Sequence, residues 1–142
     1  MMFTYKYPRP AVTADSVVIC SREGILFILL VRRSNEPFKG YWALPGGFMN
    51  MDEQLEETAR RELKEETGLV AGIMTFAGIF DRPGRDPRGR TITAVFYSKE
   101  ENCAQNLTAG SDAGETQWFP INNLPTLAFD HKEIIETIID DL

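Results

Sequence analysis

The sequence is poor in cysteine, poor in histidine and short of positive charge, and it lacks any long apolar run. Its two cysteines, Cys20 and Cys103, show no metal-ligand spacing between them. They read as two unpaired thiols of a reducing compartment, Cys20 in the core and Cys103 exposed in a polar stretch. The longest apolar run, Ile25 to Val31, falls far short of the roughly 20 residues of a membrane span. Met1 to Pro10 has no apolar core of the roughly 7–15 residues that a signal peptide needs. These absences predict a cytoplasmic protein that makes no use of a membrane. Fifteen Lys and Arg against 21 Asp and Glu give a net charge of −6. Such a balance argues against nucleic acid as a partner, because that binding replaces counterions with Lys and Arg. It also means that any phosphate chemistry here needs metal ions or a local arginine cluster. No repeat, low-complexity run or second domain is visible.

The rest is an ordinary globular composition, 43% hydrophobic and 25% charged. At 142 residues it fits one domain, residues 1–142, long enough to bury a core without staples. Residues 1–10, with Pro8 and Pro10, predict an extended N-terminal arm. Strands are expected over Ala11–Cys20, Ile25–Arg32, Tyr41–Leu44, Gly72–Asp81, Thr91–Ser98 and Thr116–Phe119. The unbroken apolar run of the second implies burial on both faces. Pro45-Gly46-Gly47 is expected to break the chain. Lys99 to Gly114 reads as a polar loop.

Two helices are expected. One covers Asp52 to Thr67, with Leu55, Ala59 and Leu63 on one apolar stripe, Glu57 paired with Arg61, and Gly68 as its left-handed C-terminal stop. The other begins at Asp130, with Asp130 and Glu133 as a capping box, Phe129 stapled onto Ile134, and Ile134, Ile135, Ile138 and Ile139 on its apolar face.

The first helix carries the chemistry. Glu62, Glu65 and Glu66 stand at i, i+3 and i+4, within about a quarter turn of one face. Like charges at this spacing destabilise a helix. A hard cation would neutralise them, and oxygen-only ligands favour Mg²⁺ or Mn²⁺. Glutamate-rich helices are also common as solvated acidic faces. Here, however, Leu44-Pro45-Gly46-Gly47 sets bare backbone just before the helix, and Arg61 can hold a neighbouring carboxylate by a bidentate pair.

Gly47-x5-Glu53-x7-Arg61-Glu62-Leu63-x-Glu65-Glu66-x-Gly68-Leu69 resembles the Nudix box at every fixed position. The resemblance implies an α/β fold, a mixed β-sheet sandwiched between α-helices, with the box at 47–69 as loop–helix–loop. It implies a hydrolase that cuts a nucleoside diphosphate linked to another group. Carried over, Glu62, Glu65 and Glu66 bind the metals with the carbonyl of Gly46, and Glu53 and Arg61 orient that cluster. The general base is a box glutamate or a distal acid, for which Asp112 and Glu115 are the candidates.

Asn35 to Gly47, Gly84 to Gly89 and Ala128 to His131 are similar to the ADP-ribose pyrophosphatase branch of that family. This implies a small-molecule nucleotide substrate, ADP-ribose, cut to AMP and ribose 5-phosphate. Arg32, Arg85, Arg88 and Arg90 would meet the diphosphate, with Gly47 and Phe38 also at the substrate. Tyr41, Trp42 and Phe80 are further aromatics that could stack on a base, although such residues are more often core. Related domains fused to a DNA-binding module sense ADP-ribose; the end of the chain at Leu142 favours the enzyme over such a sensor. Hydrolysis of oxidised or non-standard nucleoside triphosphates is the third reading. A homodimer is left open, with Phe3 to Tyr7 as a docked or swapped arm. The single histidine, His131, is expected to be structural or at the ligand's edge.

Overall fold

The computed structural model describes residues 2–103 and 113–142. β1 (Ala11–Arg22) and β2 (Ile25–Arg33) form a hairpin over Glu23 and Gly24, both at positive φ (53° and 79°). Two consecutive residues at positive φ match the right-handed twist of the flanking strands. The chain continues through β3 (Trp42–Ala43), β4 (Gly46–Phe48), α1 (Leu55–Thr67), β5 (Thr75–Phe80), β6 (Thr91–Glu100), β7 (Ala113–Pro120) and α2 (His131–Asp140).

The strands form one sheet in the order β3-β2-β1-β6-β5, with β4 added to β1 and β7 to β2. β1 and β6 run parallel and the other pairs antiparallel, so the sheet is mixed, as expected. Alternation along the central strands decides which helix each side chain meets. Ala14, Val18, Leu29 and Ala94 pack with Ala59 and Leu63 of α1. Val17, Ile19, Ile28, Leu30 and Val95 pack with Ile134, Ile135 and Ile138 of α2. The result is the expected α/β/α sandwich. Full burial of one such Leu or Ile contributes about 1.5–3 kcal/mol.

Several local expectations are corrected. Gly46-Gly47 does not end the pattern: it forms β4, with Asp15, Ala14 and Thr13 of β1 opposite Gly46, Gly47 and Phe48. Strand pairing overrides the breaker chemistry, because glycine permits a close backbone approach. α1 begins at Leu55 rather than Asp52, with Gln54 donating its N–H to Glu57 at 3.0 Å. Glu57 is thereby used at the helix start, and Arg61 turns to other carboxylates. Asp130 makes no capping hydrogen bond to α2; Arg85 takes its carboxylate, and Arg82 takes Glu133. Phe129 packs with the Val31–Ala43–Ala128 cluster instead of stapling onto Ile134. β7 begins at Ala113, earlier than expected.

The cysteines are also corrected. Cys20 and Cys103 form a disulfide, and both are buried. The parallel pairing of β1 with β6 sets Cys20 beside Glu100 and so brings Cys103 within reach. The Cα atoms are 5.6 Å apart, inside the range that a disulfide spans. An 83-residue separation hid this neighbourhood from the sequence. Among the described residues no helix is long and apolar enough to cross a membrane. Residues 2–10 carry exposed aromatics, Phe3, Tyr5 and Tyr7.

Candidate functional site

α1 is fixed in direction by its buried stripe and stopped by Gly68 in the left-handed conformation (φ 78°). That orientation carries its acidic face toward β4, which β1 holds in place. Arg61 is the hub. Its Nη2 donates to Glu53 Oε1 at 2.7 Å and its Nε to Glu53 Oε2 at 3.0 Å. Its Nη1 donates to Glu62 at 2.8 Å and to Glu65 at 3.3 Å, and Nη2 also reaches the carbonyl of Phe48. The Arg61 fork, then the Asn50 N–H, hold the Glu53 carboxyl down to about 2. The same hydrogen bonds raise Arg61 above the ordinary guanidinium value. Glu53 and Arg61 are therefore a charged pair at neutral pH, bracing the loop before α1 against the helix.

The two glycines let carboxylates touch backbone. A Cβ on Gly47 would lie 2.5 Å from Glu62 Cδ, so only a glycine admits Glu62 there. The Gly46 N–H donates to Glu66 at 2.8 Å. Glu62 and Glu66, with Gly46 and Gly47, line one wall of a cleft of about 480 Å³. Glu65 does not line it; its side chain is 52% exposed and tied to Arg61. Among the described residues no three such groups close into a metal cage, and Arg61 supplies the counter-charge to Glu62 and Glu65. The donor set is all oxygen and mostly carboxylate, and it surrounds backbone that a Cβ would block. That chemistry fits a hard divalent cation, with Glu62, Glu65, Glu66 and the Gly46 carbonyl as the groups that could hold it.

The same cleft is lined by cationic and aromatic side chains, Arg33, Arg85, Arg88 and Phe129 among them. Arg85 reaches the cleft, but its side chain is only 4% exposed and forms a two-bond pair with Asp130 at 2.7 and 2.8 Å. Arg88 forks onto Asp86 and lies 5.0 Å from the Phe48 ring centroid and 5.3 Å from that of Phe129. Burial alone would raise the Asp86 carboxyl, but Arg88 hydrogen bonds outweigh it and hold the group low.

Three expected substrate contacts stand outside this cleft. Arg32 bonds Glu115 at 3.2 Å and the carbonyl of Gly40, Arg90 bonds the carbonyl of Asp81, and Phe38 packs edge-on against Tyr41 and Phe129. Glu115 is thus engaged by Arg32, while Asp112 lies outside the described residues. Trp42 packs on Phe119 and, with Phe80, joins the core under α2. The sequence reading missed Arg33, Phe48, Phe129 and Asp15. Phe129 had a signal in the Ala128 to His131 stretch, and Asp15 in being a carboxylate within a Val- and Ile-rich strand, here 6% exposed in the cleft lining. His131 lies beside it, buried, and accepts the Leu44 N–H on Nδ1 at 3.0 Å. Burial holds its pKa below the usual imidazole value, against the pull of Asp15.

The NUDIX domain model matches residues 10–139. The chain belongs to the Nudix family. Over 130 residues it is 45% identical to the ADP-ribose pyrophosphatase of Methanocaldococcus jannaschii, covering 92% of this chain and 73% of that one. It is 33% identical to the ADPR responsive transcriptional repressor NtrR of Acinetobacter baylyi, over 92% of this chain and 53% of the repressor. The NUDIX domain of Shewanella oneidensis NrtR, solved in complex with ADP ribose, superposes with a TM-score of 0.89 at 31% identity, over 95% of this chain and 90% of that one. In this Nudix chain residues 47–69 run from β4 through a short connection into α1 and the turn at Gly68. Nudix hydrolases use divalent metal ions, and the oxygen donors around Gly46 suit that requirement.

Proposed function

We propose that this Nudix hydrolase cleaves ADP-ribose to AMP and ribose 5-phosphate, using Mg²⁺ or Mn²⁺. The observation that carries the reading is the cleft itself, which joins an acidic, glycine-lined wall to a cationic, aromatic one. Its volume of about 480 Å³ lies within the roughly 300–1,000 Å³ of ligand pockets. The 45% identity to an ADP-ribose pyrophosphatase supports the choice of substrate.

Glu62, Glu65, Glu66 and the carbonyl of Gly46 would hold the metal, which when bound polarises the phosphoryl oxygens and activates water. Arg61 keeps the carboxylates close to one another and Glu53 fixes Arg61, so both act as supports. Arg88, forked onto Asp86, and Arg33, whose Nε donates to the Pro37 carbonyl, bring positive charge to the cleft lining, suited to phosphate oxygens. Arg85 serves the same lining indirectly, by tying the arginine loop to Asp130. A box glutamate is favoured as the general base, because Glu115 is held by Arg32 outside the cleft. The ligand is a small nucleotide; the relationship to a repressor keeps a sensing role as the second reading.

Release of AMP from ADP-ribose with Mg²⁺ tests this, run beside nucleoside triphosphates, NADH and sugar nucleotides. Preferred turnover of ADP-ribose, lost in Glu66→Gln with the fold intact, is the expected result. Preferred turnover of a triphosphate would sink the substrate assignment. Tight ADP-ribose binding without turnover would favour the sensor.

A further inference from the structure

We propose that His131 is a positioning residue for the reaction: through the Leu44 amide it holds the Gly46 backbone where the metal would meet it. The inference rests on the metal-dependent hydrolysis proposed above. Leu44-Pro45-Gly46 is gripped at each residue in turn. Leu44 N–H donates to His131 Nδ1 at 3.0 Å, the Pro45 carbonyl accepts the Ser16 N–H at 2.9 Å, and Gly46 N–H donates to Glu66 at 2.8 Å. The third of these contacts comes from a proposed metal ligand, whose carboxylate must serve the ion as well. The scaffold's own grip on the loop is therefore the β1 backbone and one imidazole.

His131 suits this task. It is the first residue of α2, and Ile134, Ile135 and Ile138 fix that helix in the core. Leu44 is 2% exposed, so its N–H would have no water to replace the imidazole, and an unsatisfied buried donor costs about 1–3 kcal/mol. Acceptance at Nδ1 places the ring proton on Nε2, which faces Asp15 Oδ2 at 3.9 Å. Thr93 Oγ1 donates to that same oxygen at 2.6 Å. The other Asp15 oxygen lies so close under Gly46 that a Cβ there would stand 2.0 Å from it. Imidazole and carboxylate thus brace the Leu44–Gly46 segment that carries the Gly46 carbonyl.

Two substitutions separate positioning from packing. His131→Asn keeps an acceptor close to the Nδ1 position; His131→Leu fills the space without one. Mn²⁺ binding to the substrate-free protein, read by electron paramagnetic resonance, is measured beside kcat and KM for ADP-ribose. Loss of an outer partner of a metal ligand typically weakens metal affinity 10–100-fold. His131→Leu is expected to lose Mn²⁺ affinity on that order and to lower kcat more than it raises KM, with His131→Asn recovering most of both. Wild-type Mn²⁺ affinity in His131→Leu, or equal losses in the two variants, overturns the proposal. A wild type that binds no Mn²⁺ overturns the metal reading, and this one with it. Should His131→Leu fail to fold, nitrogen NMR of the wild-type imidazole decides. A bare Nδ1 coupled to the Leu44 amide is required, and a protonated Nδ1 excludes the role.

Discussion

Two adjacent glycines, given the same added methyl group, should fail in different ways. A Cβ on Gly46 would stand 2.0 Å from Asp15 Oδ1, 2.5 Å from the Ala14 carbonyl oxygen and 2.9 Å from Asp15 Cα. Two of those atoms are backbone of β1, at the centre of the sheet, so β4 must move away from its partner strand. Forcing a group into such a space costs about 1–3 kcal/mol. In a chain of this size that lowers Tm by roughly 3–12 °C. The three atoms nearest a Cβ on Gly47 all belong to the Glu62 carboxylate, at 2.5–2.8 Å. That side chain can rotate away, so Gly47→Ala should keep its stability and lose its chemistry. A catalytic group misplaced by about 1 Å costs on the order of 10²-fold in rate. Thermal melts and steady-state hydrolysis of ADP-ribose on both variants supply the comparison. Gly46→Ala melting with the wild type, or Gly47→Ala at full activity, would refute the account of why glycines stand here.

Arg85→Met leaves the Asp130 carboxylate buried without its partner and should destabilise the chain by about 3–5 kcal/mol; pairing it with Asp130→Asn should restore part of that loss in urea melts. Acid should act in two steps. His131 is held neutral below the usual imidazole value, so its contribution is complete above about 6.5 and declines as pH falls below it. Glu53 sits near 2 instead of 4.5, so its contribution is present above 4.5 and fades toward pH 2. Melts across this range should lose the lower step in Glu53→Gln, and an unchanged profile there would count against the Arg61 pairing. Reduction of Cys20–Cys103, which closes a loop of 83 residues, should lower stability by up to about 4 kcal/mol; a thiol assay that finds both cysteines reactive in the unreduced native protein would contradict the bond.

The helix with its glutamates was legible because its information is local. Spacing along one helix puts Glu62, Glu65 and Glu66 within about a quarter turn of one face, and Leu63 with Ala59 in a stripe beside them, whatever the rest of the chain does. The apolar run of β2 likewise announced a strand covered on both faces, because a strand buried twice has no polar alternation to show. The cationic and aromatic lining of the cleft was not legible. Arg32 and Arg33 are neighbours in a strand and so point to opposite faces, and only the pairing of β2 decides which one enters the cleft. Phe48 and Phe129 are 81 positions apart, and both lie within reach of the Arg88 side chain. The disulfide and the Asp15–His131 neighbourhood depend on the same long-range pairing. The sequence determined the acidic face of α1 because carboxylate spacing on a helix is a local property. The cationic and aromatic lining of the cleft and the supports beneath Gly46 were decided by tertiary structure, because they are assembled from β1, the arginine loop and the start of α2, segments that only the folded sheet brings together.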